Sequence, residues 1–244
     1  MRKKGVQISL ITLIILIICF ILILVLQSRI STYLKKSNSR EFCRLSVSSM
    51  QATLIEAKIG GPGGKETIFH LDCPMQYVDI KNSDLPKDEG KTDNFISKKI
   101  ADSMYDCWYQ MGKGEYSDFE DKIGDKTSCL LCSRISFEKK DIEIADFDKW
   151  LTKNAPAGSS FSYDNFLTLN GKKRYCIIDD NSRIESGISY YTFFVANNDG
   201  ANLNDIFKKN MPVEERTLSS APFSAVCLVK ESDFKNLGCE ELLN

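Results

Sequence analysis

The chain of 244 residues contains one histidine, His70, and its 32 Lys and Arg against 33 Asp and Glu leave a net charge of −1. A basic face for nucleic acid therefore has no source in the composition. With its one imidazole in a strand-like run, Ile68-Phe69-His70-Leu71, the chain has little for histidine-based acid–base chemistry to draw on. No G-x-S-x-G elbow accompanies it, so a Ser-His-Asp hydrolase is not indicated. Gly60-Gly61-Pro62-Gly63-Gly64 is no phosphate loop: the first glycine of the G-x-x-x-x-G-K-[ST] spacing falls on Ile59, and Glu66 replaces the Ser or Thr. The acidic stretches Asp179-Asp180-Asn181 and Asn197-Asn198-Asp199-Gly200 miss the EF-hand spacing and read as turns. No repeat or low-complexity segment is present.

What the chain has in quantity is apolar residues at its start and cysteine after them. Val6 to Leu26 is nearly unbroken Ile, Leu, Val and Phe, fenced by Arg2-Lys3-Lys4 before it and by Arg29, Lys35 and Lys36 after it. As a helix it would measure about 31 Å, the hydrocarbon thickness of a bilayer. A cleaved signal has a shorter apolar core and a small-x-small site. Leu24-Val25-Leu26-Gln27-Ser28 offers none, so a retained transmembrane helix is expected. The compact basic cluster at the N-terminus places that end in the cytoplasm and the C-terminal bulk outside. Residues 27–40 continue the helical spacing through Ile30, Tyr33 and Leu34 as a juxtamembrane stem, with a stop at Ser37-Asn38-Ser39.

Nine cysteines are present. Cys19 lies in the apolar run. The other eight, Cys43, Cys73, Cys107, Cys129, Cys132, Cys176, Cys227 and Cys239, form an even set that suits structural disulfides in an oxidising compartment. Eight cysteines allow 105 pairings, and their spacing does not choose among them. Cys129-x-x-Cys132 has the spacing of a redox pair. A catalytic CxxC opens a helix, where the helix terminus and nearby cations lower the first thiol's pKa. Here Leu130, Leu131, Ile135 and Phe137 indicate a strand. Its alternation sends the two cysteines to opposite faces and so to separate partners. A four-thiolate zinc site would need a second closely spaced couple, which the scattered remainder lacks. No metal or other cofactor is expected.

The N-terminal residues carry a resemblance. Lys3-Lys4-Gly5 before Val6-Gln7-Ile8-Ser9-Leu10 and the Ile/Leu run resembles the class III, prepilin-type leader of archaeal pilin-like proteins. That resemblance implies cleavage between Gly5 and Val6, with the apolar segment both anchoring the subunit and packing it among others. Leu10 stands where bacterial-type pilins have an acidic residue. The later stretches Ala101 to Trp108 and Cys129 to Arg134 are similar to single-pass archaeal ectodomains, a family that implies no activity.

Behind the anchor about 215 residues remain, enough for a sizeable core. They are read as one α+β domain, 41–244, of antiparallel strands covered by one or two helices. Short strand-like runs are expected at Cys43–Ser48, Ala52–Ile59, Thr67–Leu71 and Gln76–Ile80. Phe95, Ile96, Ile100, Met104, Cys107, Trp108 and Met111 recur at threes and fours, which predicts a helix capped by Thr92 or Asp93 and ending at Gly112. Further strands are expected at Cys129–Phe137, Arg174–Ile178, Ile188–Ala196 and Phe223–Val229, with short helices at Ile144–Lys153 and Leu203–Asn210. The functional expectation is a membrane-anchored, extracytoplasmic structural or interaction protein. It would meet the bilayer through 6–26, and a protein partner or further copies of itself through an exposed face, with no small-molecule ligand. The alternative is a membrane-tethered thiol oxidoreductase working through Cys129 and Cys132.

Overall fold

The computed structural model describes Ile18, Phe20 and residues 40–49, 71, 73–114, 127–138, 141–169, 171–178, 182–197, 223–237, 239 and 241–242. The chain divides into two compact units, 1–41 and 42–244. Of the expected membrane run, only Ile18 and Phe20 are described; both are helical and more than half exposed, at 52% and 62%. Among the described residues no helix is long and apolar enough to cross a membrane. The leader, most of the apolar run and the stem at 27–39 lie outside the described residues. So do the expected strands at 52–59 and 67–70 and the helix at 203–210.

The larger unit is α+β, built on a mixed sheet. Its strands are β1 (Gln76–Ile80), β2 (Ser128–Phe137), β6 (Tyr175–Ile178), β8 (Tyr190–Asn197), β9 (Phe223–Lys230) and β10 (Glu241–Leu242). They run in the order β1-β2-β8-β9-β6, and β10 also pairs with β2. The central pairs β2–β8 and β8–β9 are antiparallel, as expected. The outer ones are not: β1 and β10 run parallel to β2, and β6 runs parallel to β9. A parallel neighbour needs a crossover rather than a hairpin. Between β1 and β2 the crossover includes the long helix α2 (Thr92–Gln110).

Side chains of the central strands alternate between two buried faces, which is why these strands read as continuous apolar runs. On the first face lie Leu130, Ile135, Tyr190, Phe194, Val226 and Leu228, packed with Ile96, Ile100, Met104 and Trp108 of α2. On the second lie Cys129, Phe193, Val195, Ala225 and Val229. Register slips once, between Leu131 and Ser133. Cys132 is the extra residue of this bulge, so Cys132 and Ser133 both turn to the first face, and Ser133 there meets Thr192 in a buried hydroxyl–hydroxyl hydrogen bond.

The helix α2 follows the predicted stripe closely. Its start differs: Lys91 is the N-cap residue and no side chain closes the first turn. Beside α2 pack α3 (Phe147–Lys153) and α4 (Tyr163–Phe166), which contribute Phe147, Leu151 and Tyr163 to the same core. The start of α3 falls later than expected because Ile144 is drawn into a short strand, β3 (Glu143–Ile144), paired with β7 (Ile184–Glu185). A small hairpin joins β4 (Thr168–Leu169) to β5 (Lys172–Lys173), with Gly171 in its turn at φ 76°, where a side chain would be strained. The second face is crossed by α5 (Glu231–Phe234) and the residues after it.

The expected strand at Cys43–Ser48 is instead helical, within α1 at 40–49. Cys43 and Val47, four apart, are buried, whereas Leu45 between them is 61% exposed. In a strand all three would share one face; in a helix residues i and i+4 do.

Candidate functional site

All eight described cysteines are closed into four bridges. Cys43 of α1 joins Cys73, just before β1. Cys107 of α2 joins Cys132 at the β2 bulge and fixes the helix to the sheet's first face. Cys129 joins Cys239 across the second face. Cys176 and Cys227 are directly opposed on β6 and β9, with their Cα atoms 4.5 Å apart. The two cysteines of the CxxC thus go to opposite faces and different partners, as strand geometry demands. Neither opens a helix, and at 0% and 5% exposure neither presents a thiolate to a substrate. A redox CxxC closes a bridge between its own two sulfurs; this one does not.

The other chemistry-bearing candidates from the sequence fall elsewhere. His70, Asp179 to Asn181, Asn198 to Gly200, and the processing pair Gly5 and Val6 lie outside the described residues. Among the described residues no three of His, Cys, Asp and Glu converge as metal ligands would.

What the fold does assemble are three polar clusters that the sequence did not reveal. In the first, the buried Tyr163 hydroxyl donates to Asp102 of α2, and Lys98, 3.2 Å from the same carboxylate, donates to the tyrosine oxygen at 3.1 Å. Burial, then the Asp102 hydrogen bond, pushes that hydroxyl well above the usual phenol range. In the second, the Tyr175 hydroxyl lies against both Asp148 of α3 and Asp164 of α4, and Lys173 is 3.3 Å and 3.7 Å from the same two carboxylates. Burial and the Asp148 contact raise the Tyr175 hydroxyl likewise.

The third lies toward the open end of the second face. The Arg134 guanidinium meets both Glu231 oxygens, at 3.1 and 2.9 Å, Tyr191 donates to the same carboxylate at 2.8 Å, and Arg134 also reaches Ser189 at 3.1 Å. Arg134, followed by Tyr191, holds the Glu231 carboxyl below its usual range. No protein-family model matches the chain, nor does any curated protein or solved structure.

Each cluster has a structural use. The first ties α4 to α2, and the indole of Trp150 on α3 adds a 2.9 Å bond to Asn94. The second ties α3, α4 and β5 to the edge strand. The third clips α5 to β2 and β8. In the first two, protonated tyrosines serve as donors and lysines lie against the carboxylates. A depression lined by Asp79, Ile80, Lys81, Ser136, Phe137 and Glu138 lies at the C-terminal ends of β1 and β2. Partners in these clusters are 61, 27 and 97 positions apart, and a short-range pattern carries no trace of such pairs.

Proposed function

We propose that this is a membrane-anchored, extracytoplasmic structural or interaction protein, a pilin-like surface subunit in the sense of its N-terminal resemblance. One observation carries the reading: every described half-cystine is used in a bridge between separate elements, and seven of the eight are at most 6% exposed. Such a framework belongs to a compartment where thiols oxidise, and it is the investment of a domain that must persist there rather than of one that turns over substrate. The apolar run from Val6 to Leu26 and the basic cluster before it supply the means of getting there. Ile18 and Phe20, helical and exposed, are the residue types and environment a lipid-facing helix would have. The polar clusters brace helices against strands and leave no reacting atom to be served.

Intact-cell protease treatment followed by mass spectrometry of the unreduced protein tests this. Expected are cleavage of the domain from outside, eight blocked cysteines behind the apolar run, and Val6 as the first residue. A protected domain with reduced thiols overturns the localisation, and an intact Met1 removes the prepilin-type processing. Insulin reduction that depends on Cys129 would move the protein to the thiol oxidoreductase class.

A further inference from the structure

The four bridges differ in how a reductant could reach them. Thiol–disulfide exchange requires a thiolate to approach one sulfur directly, so access governs which bridge yields first. Cys43, Cys73, Cys107, Cys129, Cys132, Cys176 and Cys227 are between 0 and 6% exposed. Cys239 is the exception: it is only partly buried, at the margin of the second-face core.

Apart from the bridge, the segment it fastens is held by a handful of side chains, beginning with Glu231 against Arg134 and Tyr191. After β9 the chain forms α5, four residues long, and then crosses the second face. Phe234 packs edge-on against Tyr191 and Phe193, with ring centres 5.3 and 5.4 Å away, and Leu237 is fully buried. At its far end the described residues of β10 pair with β2, Glu241 opposite Ser128 and Leu242 opposite Cys129. Beneath it lie Phe193, Val195 and Ala225, which are at most 1% exposed. The Cys129–Cys239 bond spans 110 residues, the longest separation of the four.

We propose that Cys129–Cys239 is a reducible clip: a dithiol reductant opens it in the otherwise folded protein and frees the C-terminal strap, Glu231–Leu237 with Cys239 and β10, from the sheet's second face. In the exchange one thiolate of the dithiol attacks the sulfur of Cys239, the partly buried partner, and Cys129 leaves as a thiolate that takes up a proton. The second thiol of the reductant then displaces Cys239, so the dithiol is oxidised to its disulfide as the protein gains two thiols. The sheet itself stays closed, because Cys107–Cys132 and Cys176–Cys227 lie within the packed faces.

Graded dithiothreitol on the native full-length protein tests the clip. Samples are quenched with iodoacetamide, alkylated positions are located by mass spectrometry, and amide exchange is followed in parallel, with Cys19 counted apart. Expected is alkylation of Cys129 and Cys239 at least about tenfold faster than of the other six, as a local opening below global unfolding requires. Residues 231–242 should lose exchange protection at the same dose while β8 and β9 keep theirs. Cys239→Ser, still carrying the other three bridges, should show the open strap without reductant. Release of another bridge first, loss of all four together, or a reduced Cys239 whose strap stays protected would each overturn the proposal.

Discussion

Ser97 is fully buried on α2, and its Oγ has no hydrogen-bond partner. A buried hydroxyl without a partner costs about 1–3 kcal/mol of desolvation, and alanine is also the better helix former. Ser97→Ala should therefore stabilise the domain by about 1 kcal/mol and raise Tm by about 2–4 °C, read by thermal denaturation. An unchanged or lower Tm would mean that the hydroxyl is satisfied. Glu231 works in the opposite direction. Its carboxyl is held below the ordinary 4.5, chiefly by Arg134 and then by Tyr191. A carboxylate with a depressed folded value contributes stability that is fully present above the unfolded value and is lost as pH falls through the folded one. Because the Glu231 side chain is 38% exposed, solvent screening limits that contribution to about 1 kcal/mol or less. Glu231→Gln should cost up to about that much at pH 7, and the gap to the native protein in urea titrations should close as pH drops below 4.5. A gap that does not narrow as the pH falls would mean that the loss is steric rather than ionic.

Among the elements, α2 shows what a pattern in the chain can and cannot specify. Its apolar stripe was legible because 19 residues give five turns over which spacing by threes and fours accumulates. The central strands were legible because burial on both faces leaves unbroken apolar runs. The segment at 43–48 was misread since Cys43, Leu45 and Val47 fit alternation as well as Cys43 and Val47 fit one helical turn. Over so few residues the two periods do not separate. Strand direction was not legible either, because side-chain alternation is the same in parallel and antiparallel pairs; β1 and β6 are set by what they cross, not by what they contain. The bulge at Cys132 reverses the alternation after it, but β2 carries apolar residues on both faces, so the reversal left no mark. Packing rather than capping holds α2, whose N-terminus lacks a side-chain cap, so its buried stripe should be sensitive and its outer face tolerant. Ile100→Ala, at a position with 0% exposure, should cost about 2–5 kcal/mol in urea denaturation. Lys99→Ala, one residue earlier and exposed, should cost less than about 0.5 kcal/mol. Equal losses would show that the helix is not pinned by its stripe.

At the scale of the whole molecule, the bridges divide the fold into parts of unequal standing. Cys107–Cys132 joins the main helix to the sheet, and Cys176–Cys227 joins two adjacent strands, so both reinforce packing that already exists. Cys43–Cys73 is different: of the described residues of α1, only Cys43 and Val47 are placed in the core, while Phe42 and Leu45 are 58% and 61% exposed. Two buried side chains offset poorly the ordering of the ten described residues of α1, so the covalent link, closing 30 residues, contributes much of what keeps them in place. In the chain-entropy account a loop of that length is worth about 3–4 kcal/mol. Removing it with Cys43→Ser and Cys73→Ser together should act locally, because β8 is paired on both edges and buried on both faces. Amide exchange should show residues 42–49 losing protection by an order of magnitude or more, while exchange at β8 and β9 quickens only as far as the global stability falls. Collapse of protection across the sheet at the same rate would make α1 part of the cooperative core. Fully retained protection at 42–49 would mean that Val47 and the Arg44–Tyr109 contact, with the guanidinium 4.5 Å from the ring centre, hold the helix without the bond.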